Sequence, residues 1–141
     1  MQRVVLDTDV LVAGLRSPTG ASAEVLRRVH SRRLIMLANV PLFLEYEAVL
    51  MRPEHLLATQ QTALQMGRLL DELAGLVEPV QSWVQWRPQV RDPADEMVLE
   101  AAVNGRASAL LTFNARDFGD APGRFGVLLA TPGQFLRSDE P

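Results

Sequence analysis

The chain has 141 residues, of which 48% are hydrophobic and 22% charged, a composition typical of one folded globular domain and unlike that of a disordered chain. It contains no cysteine, which excludes disulfides and thiolate metal sites, so a bound metal ion would need oxygen ligands or one of the two histidines. The net charge of −3 argues against nucleic-acid binding through bulk positive charge, but it is compatible with a carboxylate-lined metal site.

The organisation of the chain predicts one domain, residues 1–137, followed by a polar tail at 138–141, because no low-complexity linker or internal repeat interrupts it. Its apolar stretches are too short to span a membrane. Its first residues run directly into a strand-like segment, without the apolar region and cleavage site of a signal peptide. We therefore expect a cytoplasmic protein with no membrane association.

The first half of the chain predicts strands and helices in alternation. Its opening apolar, β-branched run predicts a strand buried on both faces. Asn39 and Pro41 start a later helix, and Pro53 ends it. The predicted elements are a strand at 3–7, helices at 10–15 and 21–33, a strand at 34–38, helices at 42–52 and 59–76, and a strand at 77–86.

The second half continues this alternation. Asp92 as cap and Pro93 at the first helical position open a helix that Asn104 and Gly105 end. The predicted elements are this helix, running to about residue 103, strands at 107–112 and 127–130, and a short helix at 132–136. Such alternation predicts an α/β fold with a mostly parallel central sheet, in which ligands bind at the carboxyl ends of the strands.

A carboxylate, Asp7, ends the first predicted strand. A buried strand end places Asp7 in a partly dehydrated crevice, where a cation would neutralise it. The alternative is that Asp7 or Thr8 only caps the helix that follows. An EF-hand beginning at Asp7 is excluded, because its sixth position, Val12, should be Gly and its twelfth, Pro18, should be Glu.

The predicted helix at 42–52 carries two candidate acids. Glu45 is in register with Leu42 and Val49 on the apolar stripe, whereas Glu47 is in register with Phe43. We favour Glu45 as the acid that points towards a site and expect the other to be solvated.

Asp92 and Asp95 lie at the start of the next candidate helix. A cap followed by an acid three residues later is also the pattern of a capping box, and acids favour this end of a helix dipole. However, Asp95 is in register with Leu99 on the predicted buried face, while Glu96 is in register with Glu100 on the predicted solvent face. An inward-facing acid would be explained by a metal ion.

Oxygen-bearing side chains also follow the predicted strand at 107–112. Asn114 and Asp117 can offer oxygens to a site above the sheet edge, and Thr112 can donate or accept a hydrogen bond there. The alternative is turn chemistry, since Asn and Asp are common in loops.

In this order, the four segments resemble the PIN-domain nucleases: an early strand ending in Asp-Thr-Asp, a Glu on a middle helix, an Asp opening a late helix, and Thr-x-Asn-x-x-Asp after the next strand. The resemblance extends from residues 4–12 to residues 129–136. Within the family, the chain is most similar to the VapC-like toxins of bacterial toxin–antitoxin pairs. The resemblance implies a three-layer α/β/α fold and an endoribonuclease that uses Mg²⁺ or Mn²⁺ and pairs with an antitoxin.

The resemblance also implies the residues of the site. Asp7, Glu45 and Asp95 would be the metal-binding acids, with Asn114 or Asp117 as the fourth member; Asp7 and Asp95 would hold the principal ion and Glu45 would orient the attacking water. Many relatives have Asn where this chain has Asp9 and Asp where it has Asn114. This exchange of charge leaves open whether one or two metal ions bind.

Two other functions are compatible with parts of the pattern. A non-cleaving RNA-binding or regulatory module on the same fold would leave the acids scattered or without metal. A phosphatase-like or receiver-like domain would need a lysine near a late strand end, and the chain has no lysine.

Several further side chains are expected to have structural or interface roles. His30 and His55 are predicted to be surface residues and not ligands. Trp83 and Trp86 could stack on bases, but we expect them to pack. A helical hairpin predicted at 56–76 is expected to form part of a homodimer or antitoxin interface.

Overall fold

Five short strands form one sheet in the computed structural model of the protein, which describes residues 1–81, 90 and 92–139. The strands are β1 (Arg3–Leu6), β2 (Ile35–Ala38), β3 (Glu78–Pro79), β4 (Ala109–Leu111) and β5 (Leu128–Ala130), in the spatial order β3-β2-β1-β4-β5. All four pairings between them are parallel. In the central strand, Val5 lies between Leu37 and Leu110 and is fully buried, which confirms the prediction of a strand buried on both faces.

Helices pack around this sheet in a three-layer α/β/α arrangement, which confirms the predicted fold class. The helices are α1 (Thr8–Arg16), α2 (Ala21–His30), α3 (Val40–Leu50), α4 (Pro53–Thr59), α5 (Ala63–Leu76), α6 (Pro93–Asn104), α7 (Ala115–Phe118), α8 (Ala121–Arg124) and α9 (Pro132–Asp139). Helix α6 packs against β1, β2 and β4, while α9 packs against β4, β5 and α2. No helix in the described part of the chain is long and apolar enough to cross a membrane.

Most predicted elements are present with boundaries shifted by a few residues, but the segment around Thr59 was assigned wrongly. The predicted helix at 59–76 begins only at Ala63, because Gln60 adopts a left-handed conformation (φ 58°) that ends α4, and Thr62 caps α5. Helices α4 and α5 occupy the segment predicted as a helical hairpin. Helices α7 and α8 were not predicted. The predicted strand at 77–86 is β3 at its beginning, whereas Trp83 and Trp86 lie outside the described residues.

A buried amide joins the two helices that carry Glu45 and Asp95. The side chain of Asn39 lies at the end of β2, where its Oδ1 accepts a hydrogen bond from the Leu42 N–H at 2.9 Å and caps α3 as predicted. Its Nδ2 donates to the carbonyl oxygen of Met97 in α6 at 3.1 Å. The amide therefore holds α3 against α6.

The strand order places a crevice between the carboxyl ends of β1 and β4. From β1 the chain passes to β2 on one side and only later to β4 on the other, so β1 and β4 flank the point where strand order reverses. The Asp7 N–H donates to the carbonyl oxygen of Leu111 at 2.9 Å across this point. Parallel α/β sheets bind ligands at such positions.

Replacing Asn39 by alanine should lower the free energy of unfolding by about 1.5–2.5 kcal/mol. The variant loses an N-cap, worth about 1 kcal/mol, and the additional hydrogen bond to the Met97 carbonyl, worth about 0.5–1.5 kcal/mol. Urea denaturation measures the change. Thr62→Ala, which removes the exposed cap of α5, is the matched control and should lower it by only about 1 kcal/mol. Equal losses in the two variants would show that the bond to Met97 contributes nothing.

Candidate active site

Asp7 both caps a helix and faces the crevice. It is 8% exposed, and its Oδ1 accepts a hydrogen bond from the Thr8 N–H at 2.9 Å at the start of α1. Its Oδ2 accepts from the Thr112 hydroxyl at 2.8 Å, across the gap to β4. Burial raises the pKa of Asp7, and the nearby carboxylates of Asp117 and Glu45 raise it further, against the lowering effect of the two hydrogen bonds. Asp7 therefore caps α1 as predicted, and its second oxygen bonds across the crevice.

Asp9 is a second acid at the crevice and is half-buried, and we did not include it among the predicted site residues. Its Oδ2 accepts hydrogen bonds from the Phe113 N–H at 3.1 Å and from Asn114 Nδ2 at 2.9 Å. Its Oδ1 is buried and has no hydrogen-bond partner among the described residues. Burial, followed by the charge of Asp7, raises the pKa of Asp9 to about 6. Its position two residues after Asp7, in the first turn of α1, was the available signal.

The structure brings Glu45, and not Glu47, to these acids. Glu45 is half-buried on α3, and its charge contributes to the raised pKa of Asp7. Glu47 is exposed and lines a separate apolar groove beside β3 with Val40 and Leu44. The helical register that favoured Glu45 therefore identified the side chain nearer to Asp7.

Tyr46 lies directly beneath the crevice and was missed by the sequence analysis. Its side chain is fully buried, and its hydroxyl donates to the carbonyl oxygen of Leu6, the last residue of β1. Burial, followed by the charge of Asp7, raises the pKa of Tyr46 well above its ordinary value, so it stays protonated as a donor. An aromatic residue beside an acid in a helix is usually explained by packing, and no pattern in the sequence links it to Asp7.

Asp95 and Asp117 line an open cleft beside Asp7. The cleft, of about 780 Å³, is also lined by Asp92, Pro93 and Arg116. Asp92 caps α6 as predicted, accepting from the Ala94 N–H at 2.9 Å. Burial raises the pKa of Asp95 to about 6, and the charges of Asp7, Asp92, Asp117 and Asp9 add to the effect.

Glu96, the acid of α6 that was predicted to face solvent, is instead covered by the chain. Glu96 is half-buried and accepts a hydrogen bond from the Val90 N–H at 2.9 Å, so its assignment to an open solvent face was wrong. The physical reason is the backbone of Val90, which lies against the first turn of α6 and donates to that carboxylate.

Residues 112–114 connect the acids to one another. Thr112 is fully buried; its hydroxyl donates to Asp7 and accepts from the Asn114 N–H at 2.9 Å. The Asn114 side chain donates to Asp9 and, in the described part of the chain, makes no cap to α7. Turn chemistry alone therefore does not account for Asn114.

The structure thus gathers five carboxylates around one crevice: Asp7, Asp9, Glu45, Asp95 and Asp117. Within the described ranges, no three Asp, Glu or His side chains already form a group placed to hold a metal ion. The donor set nevertheless fits a hard divalent cation, because its available atoms are all oxygens, and the buried Asp9 Oδ1 lacks a partner. Such a cation would also relieve the repulsion that raises the pKa values of these acids.

Comparison with known proteins identifies the family of the chain. The family model of the PIN domain matches residues 3–116. The chain belongs to the PIN-domain family. The matched range contains all the predicted site residues except Asp117, and the PIN domain assigns the protein in general to metal-dependent nucleases that act on phosphodiester bonds. PIN nucleases usually use divalent metal ions. No curated protein matches the chain.

The free energy of unfolding of the metal-free PIN domain should decrease as the pH rises from 3.8 to about 6. The reason is that the stabilising contribution of protonated Asp9 is lost over this range. A carboxyl whose pKa is higher in the folded than in the unfolded state stabilises the fold while protonated, and this contribution disappears as it ionises. Unfolding in EDTA across this range measures the effect. The free energy of unfolding of the unchanged protein minus that of Asp9→Asn should decrease with pH, since the variant cannot ionise there. A difference independent of pH would contradict the raised pKa.

Proposed function

We propose that this PIN domain is an endoribonuclease that hydrolyses RNA phosphodiester bonds with bound Mg²⁺ or Mn²⁺, as the toxin of a toxin–antitoxin pair. The observation that carries the proposal is the gathering of carboxylates at the point where strand order reverses, beside an open cleft. A non-cleaving module would have no need to hold these acids together against their mutual repulsion. The clustering therefore favours cleavage over the alternative of an RNA-binding or regulatory module.

The roles of the acids follow from their positions. A bound divalent cation supplies the chemistry of lowering the pKa of a water molecule and neutralising charge on the phosphate. Asp7 and Asp95 would hold it, since they lie on neighbouring elements and the charge of Asp7 contributes, after burial, to the raised pKa of Asp95. Glu45, on α3, faces Asp7 and would accept a hydrogen bond from the attacking water. Asp117, at the far side of the cleft, would help to hold a cation near the leaving oxygen.

Two exposed side chains support nucleic acid as the substrate. Arg116 lines the same cleft as Asp95 and Asp117, where its guanidinium could bind a phosphate in a site that is otherwise negative. Phe113 is 50% exposed although its backbone N–H is held by Asp9, so the ring is presented beside the acids. An exposed aromatic ring next to the scissile position can stack on an unpaired base.

Asp7→Asn and Asp95→Asn should each reduce RNA cleavage by at least about 100-fold while leaving the fold intact, because each removes a carboxylate from the proposed cation site. Glu45→Gln should reduce cleavage in the same direction. The measurement is cleavage of a mixed RNA pool with Mg²⁺, Mn²⁺ or EDTA, followed by mapping of the cut ends. The matched control is Glu47→Gln on the same helix, which should retain full activity. Full activity in both Asp variants would remove this mechanism.

The toxin assignment has its own readout. Induced expression of the PIN domain in a bacterium should stop growth, and expression of Asp7→Asn should not. If both proteins stop growth equally, the effect does not come from cleavage. If neither does and RNA is still cut in vitro, the protein is a nuclease without toxin activity.

Features of helices α4 and α5 support the proposed protein partners. One side of α5 covers an apolar cavity of about 150 Å³ with α1 and α2, lined by Leu11, Leu15, Leu26, Val29, His30, Leu50, Met66, Leu69, Leu70, Glu72, Leu73 and Leu76. A cavity of this size could accept one apolar side chain of an antitoxin. On the outer side, Leu57 and Leu64 are 81% and 67% exposed, and we assign them to the contact between two copies.

The unchanged protein should therefore be a homodimer at micromolar concentration, and Leu57→Asp with Leu64→Asp should be a monomer. Charges at an apolar contact between copies remain without partners and oppose association. Light scattering gives the mass of each. Asp71→Asn, an exposed change on α5, is the control and should leave the dimer unaffected. A monomer for the unchanged protein would count against the proposed interface.

A further inference from the structure

We infer that Asp9 is itself a ligand of the divalent cation, and that Asn114 is the positioning residue that holds the Asp9 carboxylate in place. The inference rests on the proposed function and deepens it. It replaces the choice between Asn114 and Asp117 as fourth member of the site by a defined carboxylate–amide pair, Asp9 and Asn114. The pair joins α1 to the loop after β4 through the hydrogen bond of 2.9 Å between Asn114 Nδ2 and Asp9 Oδ2.

The two oxygens of Asp9 are used unequally. The Phe113 N–H and the Asn114 amide both donate to Oδ2, while Oδ1 is buried without a hydrogen-bond partner among the described residues. In Asp7, by contrast, each oxygen already accepts one hydrogen bond. A buried carboxylate oxygen without a donor is unfavourable, and its closest charged neighbours are other acids that cannot donate when ionised. A divalent cation held by Asp9 would satisfy this oxygen.

The contacts of Asn114 fit a positioning role. Its side chain donates to Asp9, and its own N–H is fixed by Thr112, which donates in turn to Asp7. The loop at 112–114 therefore sets the positions of both carboxylates at once. Because Nδ2 carries hydrogens, this atom cannot bind a cation. The amide is also neutral, so the negative charge of the pair is on Asp9, in α1. Exchanging the two side chains would move the charge across the same hydrogen bond to residue 114, which is exposed and has room for it.

Mn²⁺ binding to the full chain without nucleic acid tests the inference by calorimetry or electron paramagnetic resonance. The Kd of Asp9→Asn should rise by at least about tenfold, and that of Asn114→Ala by about tenfold, as for a residue that orients a metal ligand. The double exchange Asp9→Asn with Asn114→Asp should bind Mn²⁺ about tenfold more tightly than Asp9→Asn alone. Glu47→Gln is the control and should bind as the unchanged protein does.

Thermal unfolding in EDTA separates loss of a ligand from loss of the fold. Asp9→Asn should be at least as stable as the unchanged protein, because it removes one charge from beside Asp7. If Asp9→Asn does not fold, Asp9→Ser and Asn114→Ala supply the same comparison. An unchanged Kd in the folded Asp9 variant, or no Mn²⁺ binding by the unchanged protein, would overturn the inference. A double exchange no better than Asp9→Asn would overturn the positioning role of Asn114.

The outcomes also distinguish this inference from the proposed function. If Mn²⁺ binding depends on Asp9 but no RNA is cut, the nuclease proposal fails and the ligand assignment stands. If Asp7→Asn and Asp95→Asn abolish cleavage while Asp9→Asn changes neither Mn²⁺ binding nor cleavage, the ligand assignment fails alone.

Discussion

The hydrogen bond from the Thr112 hydroxyl to the Asp7 carboxylate spans the gap between the carboxyl ends of β1 and β4, and the rest of the site is arranged around it. Each of its partners directly follows a strand whose apolar residues are fully buried, so neither can move without disturbing the core. Tyr46 supports the same strand end from below through the carbonyl of Leu6. The acids that surround Asp7 are therefore held by a rigid edge of the sheet and not by loop conformation alone.

The PIN domain holds these acids together at an electrostatic cost. Burial and mutual charge raise the pKa values of Asp7, Asp9 and Asp95, which means that ionising them opposes folding. A three-layer core whose central strand is fully buried offsets this cost. Hydrogen bonds from the loop after β4 offset a further part. Violations of ordinary burial rules are expected at functional sites, and here they coincide with the point where strand order reverses.

Much of the fold and part of the site could be predicted from sequence. Binary pattern identified the strands, capping residues such as Asp92 marked a helix start, and the 3.6-residue period favoured Glu45 over Glu47. These are local signals, which the chain carries in its own order of residues. Helices α7 and α8 are too short to leave a periodic pattern. The two donors that bind Asp9 Oδ2 lie more than a hundred residues further along the chain. No local pattern could therefore indicate that they would leave Oδ1 without a partner among the described residues.

The sequence by itself determined which residue types were available: oxygen ligands without cysteine or lysine, buried strands that end in polar residues, and acids on the inner faces of helices. The tertiary structure decided which of them meet. Pairing β1 with β4 brought Asp7 to Thr112, and the bond from Asn39 to Met97 set α3 against α6. Distances between side chains depend on how the layers pack, and packing is a property of the whole chain, so the site exists only once the sheet has formed.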